Sequence, residues 1–139
     1  MGMTLEDQFI TALQLILAAV LAMLIGVDRE RKHLDAGLRT HMLIGLGSCL
    51  FTSLSIHAFG HGDPGRVASQ ILPGLGFLGA GAILKYGTRV QGLTTAASIW
   101  TTAALGMAVG VGAWFLAICA TLLIWTILAV VKRMKSHLD

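Results

Sequence analysis

Charge is what this sequence has least of. Of 139 residues, 12% are Asp, Glu, Lys or Arg, about half the share of a soluble domain. Ten basic and seven acidic residues are too few to cover the surface of one soluble core. They are also clumped, which leaves long uncharged stretches. An ordinary soluble enzyme, a disordered chain and a nucleic-acid binder are excluded on these grounds. Cysteine is equally sparse. Cys49 and Cys119 both lie inside apolar runs and read as packing residues, because a disulfide or metal framework needs clustered, water-accessible thiols. The N-terminus has no basic n-region and no small-x-small cleavage site, so its apolar run reads as a retained span and not a signal peptide. Also lacking are a Gly-rich phosphate loop ending in Lys-Ser/Thr, a His-Glu-x-x-His pair and a serine nucleophile elbow. The chain is therefore expected to be non-enzymatic and to hold no cofactor.

What is abundant is apolar and small. Hydrophobic residues make up 55% of the chain, with 17 glycines, and the mean hydropathy is +0.79. Five apolar segments stand out, at 8–27, 40–60, 67–84, 92–110 and 113–131. Each is near the ~20 residues that carry a helix across a ~30 Å hydrocarbon core. Open strands would leave backbone groups unpaired in lipid, so the expectation is an all-α polytopic protein, a single domain over residues 1–139 with the lipid bilayer as its medium. Spans four and five meet at Gly110-Val111-Gly112, short enough for a helical hairpin. Nine of the ten basic residues fall in the first and third connections and the tail, leaving only Arg66 on the other side. The excess of basic residues marks the cytoplasmic face, which puts the N-terminus outside and the C-terminus inside. Trp114 and Phe115 then fall at the outer interface, with Trp100 and Trp125 deeper, as packing residues.

A shift of 55 residues sets Gly26 on Gly81, Gly37 on Gly92, Leu38 on Leu93, Thr40 on Thr95, Ile44 on Ile99 and Leu50 on Leu105. Such a parallel repeat would superpose spans one and two on spans three and four; chance matching among common residues is the alternative.

The first connection, Asp28 to His41, is half charged. If it is helical, Asp28 pairs with Lys32, Arg31 with Asp35 and Asp35 with Arg39, each at i, i+4, and Gly37 stops the turn. The bland reading is a solvated, self-neutralised loop. Asp28, Arg29, Glu30 and Arg39 adjoin the spans, where charge is costly unless paired. Arg39 is expected to need a buried partner, with Asp28 the candidate, so that Arg39→Ala would be worse than Lys32→Ala. Asp28 and Glu30 offer hard oxygens for Mg²⁺, but i and i+2 lie on opposite helix faces and cations surround them.

Span two carries His41, Gly45, Ser48, Thr52 and Ser55 on one face, and span four carries Thr94, Ser98, Thr101 or Thr102, Gly106 and Gly110. Close packing through small residues, including Gly106-x-x-x-Gly110, is one reading; a polar path through a bundle is the other. In span three, Pro73 with Gly74 and Gly76 predicts a kink or break, with Gln70 available to the freed backbone groups. Gly76, Gly79 and Gly81 suggest close helix contact there. Broken helices occur both as plain kinks and at transporter binding sites. His57 and His61 have i, i+4 spacing, but the glycines around them read as an exposed loop.

The blocks Gly26-Val27-Asp28-Arg29-Glu30-Arg31, Ala36-Gly37-Leu38-Arg39-Thr40-His41, Gly76-Phe77-Leu78-Gly79-Ala80-Gly81-Ala82-Ile83 and Gly92-Leu93-Thr94-Thr95-Ala96-Ala97-Ser98-Ile99-Trp100 resemble, in this order, the MgtC/SapB family of bacterial inner-membrane proteins. The resemblance covers about residues 10–131. It implies five spans with the C-terminus inside, and a link to growth at low magnesium, acid tolerance or virulence in some members. It implies, for some, modulation of an F-type ATP synthase. Thr94 stands where virulence-associated members tend to have Asn, and Thr101 where they tend to have Cys. With the short tail, these departures point to the SapB-like branch that lacks a cytoplasmic domain. Besides a structural scaffold within an envelope complex, two functions stay open. One is a modulator of a membrane partner, acting through its small-residue faces and basic loop. The other is an oligomeric transporter or channel for a cation such as Mg²⁺. A homodimer is favoured, on Gly106-x-x-x-Gly110 and the small size. The candidates for a partner surface or ion path are Asp28, Arg29, Glu30, Arg39, Thr40, His41, Gln70, Pro73, Gly76, Gly79, Gly81, Thr94, Thr95 and Ser98.

Overall fold

The computed structural model describes residues 2–59 and 63–131. Five helices carry the fold: α1 Leu5–Arg31, α2 Leu38–His57, α3 Ile71–Gly81, α4 Leu93–Gly110 and α5 Trp114–Thr126. A 3₁₀ turn, Ala68–Gln70, leads directly into α3, and a π-type turn, Ile127–Val131, continues α5. The helices follow the apolar segments closely, except in the third.

Each boundary has a local cause. Thr4 and Asp7 form a reciprocal capping box at the start of α1: the Asp7 N–H donates to Thr4 Oγ1 at 3.1 Å, and the Thr4 N–H donates to Asp7 Oδ2 at 3.1 Å. The far end of α1 closes on a Schellman motif. The His33 N–H donates to Glu30 O at 2.9 Å and the Leu34 N–H to Arg29 O at 3.3 Å, with His33 itself left-handed at φ 51°. The helix therefore stops at Arg31, six residues before Gly37. The expected Arg31–Asp35 and Asp35–Arg39 pairs do not form, because the helical spacing they need is gone. Gly37 instead begins α2, as its N-cap.

The third segment departs furthest. Its α-helix is 11 residues long, and Leu84 already belongs to a two-stranded antiparallel hairpin, β1 Leu84–Tyr86 and β2 Arg89–Gln91. Gly87 (φ 60°) opens the two-residue turn between the strands. Pro73 lies in the first turn of α3, where a missing N–H leaves no helical bond unmade. The expected break is a change of helix type just before Pro73, where the 3₁₀ turn gives way to the α-helix.

Helix α2 packs between α1 and α4, α3 leans on α4, and α5 contacts α1 and α4. Where α2 crosses α4 the backbones nearly touch. A Cβ on Gly106 would overlap the carbonyl oxygen of Gly45, and one on Gly110 would come within 2.8 Å of Cys49 O. Gly106-x-x-x-Gly110 is thus a packing motif, as its spacing suggested, but it packs inside the chain. The seam leaves that motif no free face with which to argue for a second copy.

Polarity is turned outside in. Along the middle of α1 the exposed positions include Leu13, Ile16, Val20 and Leu24, while Thr11, Gln14, Ala18, Ala22, Ile25 and Arg29 are buried. His41, Ser48, Thr52, Ser53 and Ser55 of α2 are buried, as are Thr95, Ser98 and Thr102 of α4, whereas Leu43, Phe51, Leu93 and Trp100 point outward. Trp100 and Trp125 are half exposed, so they are not the interior packing residues expected; their indoles lie on the outward faces of α4 and α5. Two helices, α1 and α4, are long and apolar enough to cross a membrane.

The 55-residue shift pairs some residues in like places and others not: Gly26 packs against Leu38 and His41, whereas a Cβ on Gly81 would meet nothing within 4 Å. Gly37 and Gly92 are the N-caps of α2 and α4, and Ile44 and Ile99 share one core cluster.

Candidate functional site

The polar residues converge where the end of α1 meets the beginnings of α2 and α4. Asp28 accepts from Lys32 Nζ at 2.6 Å, the one i, i+4 pair of this loop that forms. The same ammonium donates to Leu128 O at 2.9 Å. Lysine thereby ties the end of α1 to the π-type turn that continues α5. Glu30 reaches across the loop, and its Oε2 accepts the Leu38 N–H at 2.8 Å. It takes the place of the side chain that the N-cap Gly37 lacks, and the Glu30 carboxylate occupies the space a Cβ on Gly37 would need. Asp28 and Glu30 are each committed to a different partner and do not act as a pair. Among the described residues no three His, Cys, Asp or Glu side chains gather as metal ligands.

Arg39, expected to be buried against Asp28, is exposed. The buried cation is Arg29, at 4% exposure, and its Nη2 donates to Thr95 Oγ1 at 3.0 Å. The expected ranking of substitutions therefore reverses. Lys32→Ala should cost about 1 kcal/mol through loss of its two partners, and Arg39→Ala less than about 0.5 kcal/mol. Glu30→Ala should cost about 0.5–2 kcal/mol as a lost helix cap. Melting temperatures of the three purified variants, read by a fluorescence or light-scattering ramp in detergent, check the order; Arg39→Ala as the least stable would refute it.

Next to Arg29 lies His41, fully buried. Its Nδ1 is 2.8 Å from Gly37 O and its Nε2 3.0 Å from Ser98 Oγ. The carbonyl can only accept, so Nδ1 carries a proton. Ser98 Oγ is also 2.8 Å from Thr95 O and has a single proton for two acceptors. When it turns to Nε2 the ring is neutral; when it turns to Thr95 O, Nε2 must be the donor. His41 thus joins α2 to α4 through a bond whose direction follows its protonation.

Two further candidates sit apart from this cluster. Thr94 is exposed and Thr40 half-buried, so Thr95 and not Thr94 faces the interior. Gln70 is exposed, precedes α3 with no side-chain capping bond, and lines a cavity of about 420 Å³ between α2 and α3, with Phe51, Ile71 and Leu75 among its walls. Gly76 and Gly81 would meet nothing within 4 Å if given a Cβ, and only Gly79 faces a neighbour, the Ala96 Cβ at 3.7 Å. The close contact expected of all three holds for one. His57 is exposed, and His61 lies outside the described residues. Sequence reading passed over Thr11, whose Oγ1 lies 2.7 Å from Ser53 Oγ and bonds α1 to α2. The signal was available: Thr11 and Gln14 share a helical face with Ala18 and Ala22.

The profile of the MgtC family matches residues 15–137. The chain belongs to the MgtC family. It is 42% identical over 134 residues to the "Putative magnesium transporter YhiD" of Escherichia coli K12, covering 91% of this chain and 62% of that protein. It is 42% identical over 122 residues to "Protein MgtC" of Brucella abortus 2308, covering 88% of this chain and 51% of the relative. With "Protein MgtC" of Salmonella typhimurium LT2 it is 43% identical over 112 residues, 81% of this chain and 48% of the relative. The chain thus spans about half to three-fifths of these relatives' length. No solved structure matches it. All four sequence blocks that carried the MgtC/SapB resemblance lie within the matched range. Three of them contribute the site: Arg29 and Glu30 from the first, Gly37 and His41 from the second, Thr95 and Ser98 from the fourth.

Proposed function

We propose that this MgtC-family chain is a non-enzymatic, multi-pass protein of the bacterial inner membrane that modulates a membrane partner during magnesium- or acid-stress adaptation. Five spans cross the bilayer, the N-terminus outside and the C-terminus in the cytoplasm. One observation carries the reading: polar side chains face inward and bond between helices of the chain, Thr11 to Ser53, Arg29 to Thr95 and His41 to Ser98, with Arg29 Nε and Thr52 Oγ1 left without a partner. Ser48 and Thr52 lie in the α2–α4 seam, where Gly106 and Gly110 bring the helices into backbone contact. Little room is left there for an aqueous path. The apolar outer faces of α1, α4 and α5 suit lipid, and small residues such as half-buried Gly47 and exposed Gly76 and Gly81 leave room for a partner's helix. The partner is another membrane protein, an F-type ATP synthase being the one the family resemblance suggests.

The second reading, a cation transporter built by oligomerisation, is favoured by the printed name of the Escherichia coli relative, a putative magnesium transporter. Proteoliposomes loaded with a Mg²⁺-sensitive dye separate the two. The modulator reading expects uptake no faster than in protein-free vesicles, and recovery of a defined membrane partner by crosslinking in cells. Uptake that depends on the protein and is lost in Gln70→Ala would replace it with transport. A reporter fused after Asp139 that works only in the periplasm would overturn the orientation.

A further inference from the structure

Helices α2 and α4 both begin at glycine N-caps that have no side chain to offer, Gly37 extended and Gly92 left-handed at φ 85°, but only α2 is completed by a side chain. At α2 the Glu30 carboxylate accepts the Leu38 N–H. The 55-residue shift that sets Gly37 on Gly92 sets Glu30 on Lys85, so the second half has no acid at the matching register. Among the described residues no side chain caps α4, an 18-residue helix; its leading N–H groups form a positive end beside the Ala82 carbonyl that packs against Gly92.

Arg29 adds an independent anomaly at the same place. Its guanidinium is buried and held against Thr95, the third residue of α4, yet its Nε has no hydrogen-bond partner. Neither neighbouring acid supplies one: Asp28 is paired with Lys32, and Glu30 with Leu38. A buried cation with an orphaned donor is costly unless something accepts from it. Here positive charge and a positive helix end are of the same sign and adjacent, which deepens the deficit. Arg31, Arg39 and Arg89 are exposed around this end of the bundle and would draw an anion toward it.

The geometry points to an oxyanion site, of phosphate chemistry, at the start of α4. Arg29 Nε, the Thr95 hydroxyl and the leading amides of α4 are its donors. The bound oxyanion does for α4 what Glu30 does for α2. Phosphate fits better than a single carboxylate because the donors outnumber the bonds one carboxylate makes in its plane, and because the rim adds further positive charge. Two sources share this chemistry: the headgroup phosphate of an anionic lipid, and free inorganic phosphate. The lipid source rests on the membrane reading above; the free-phosphate source does not.

The test uses the full chain, purified in detergent and stripped of lipid. Equilibrium dialysis measures retention of radiolabelled inorganic phosphate. Native mass spectrometry measures retention of phosphatidylglycerol against phosphatidylcholine in mixed micelles. About one phosphate or one phosphatidylglycerol per chain is expected. Phosphatidylglycerol alone assigns the site to a lipid headgroup, and phosphate alone to the free ion. Arg29→Lys keeps the charge but loses the planar donor set and should weaken retention at least tenfold. Should that variant fail to fold, Thr95→Val keeps the volume, removes one donor and should weaken retention by about three- to tenfold. Arg66→Ala removes an exposed cation that is not part of this rim and should leave retention within twofold. Folded parent chain that retains neither probe overturns the site, as does retention that Thr95→Val and Arg29→Lys leave unchanged. Replacement of both probes by an acidic peptide from a crosslinked partner would also overturn it, whether or not the chain transports an ion.

Discussion

A single methyl group at position 106 is expected to cost the chain about 3 kcal/mol or more. A Cβ there has nowhere to go, because it would overlap the carbonyl oxygen of Gly45 and approach the Ser48 Cβ to 2.9 Å. The obstacle on the α2 side includes backbone, so no rotamer change relieves it. The two helices must move apart along the seam that buries Thr52, Thr102 and Val109. Overpacking of a core typically costs about 1–3 kcal/mol, and displacing a helix backbone belongs at the upper end or beyond. Gly106→Ala should therefore fail to accumulate in the membrane fraction, or should melt many degrees below the parent in detergent. The control is Gly47→Ala on α2, where a Cβ meets nothing within 4 Å. That change should be neutral or stabilising by up to about 1 kcal/mol, as alanine usually is over glycine within a helix. Equal melting temperatures for the parent and Gly106→Ala would mean that α2 and α4 do not meet as described.

His41→Ala is expected to be the second most damaging change, at about 2–4 kcal/mol from the lost buried volume and the two lost bonds together. His41→Leu divides the two contributions. Leucine refills most of the space but makes neither bond. Ser98 can still donate to Thr95 O, so its hydroxyl is not stranded. The leucine variant should thus be about 1 kcal/mol less stable than the parent, near what interhelical hydrogen bonds average inside membrane proteins. Thermal ramps on both variants check this. Loss of stability as large in His41→Leu as in His41→Ala would place the value of His41 in its polar contacts and not in its volume.

The parts of this fold that were legible in the sequence are those fixed by local pattern. Apolar runs placed four of the five helices within a few residues, and i, i+4 spacing gave the Asp28–Lys32 pair. The polar stripe of α2 was readable because period 3.6 puts its members on one face whatever that face meets. What was not legible depends on partners far along the chain. The capping of α2 by Glu30 needs a loop that folds back on itself. That loop forms because His33 accepts a left-handed conformation more often given to glycine, which drew attention to Gly37 instead. The glycines of α3 carry no side chain to tell a packed face from an open one, so Gly79 against Ala96 could not be told from Gly76 against nothing. Arg29 and Thr95 were both singled out, but 66 residues separate them, and no periodicity links α1 to α4. The hairpin after α3 did leave a trace: Gly87-Thr88 between two short segments is a two-residue turn signal, masked by the hydrophobic run before it.

The shortness of α3 has a consequence for the lipid around it. Its 11 residues and the three of the 3₁₀ turn before it reach roughly 22 Å, against a hydrocarbon layer of about 30 Å. Under the five-span reading, this crossing falls short of the layer by about a quarter. Hydrophobic mismatch of this size is relieved by dimpling the bilayer on one flank of the protein. The chain then carries a patch of thinned membrane beside α3 wherever it goes. It gathers more readily in thin bilayers than in thick ones, and beside other proteins that have a short face of their own.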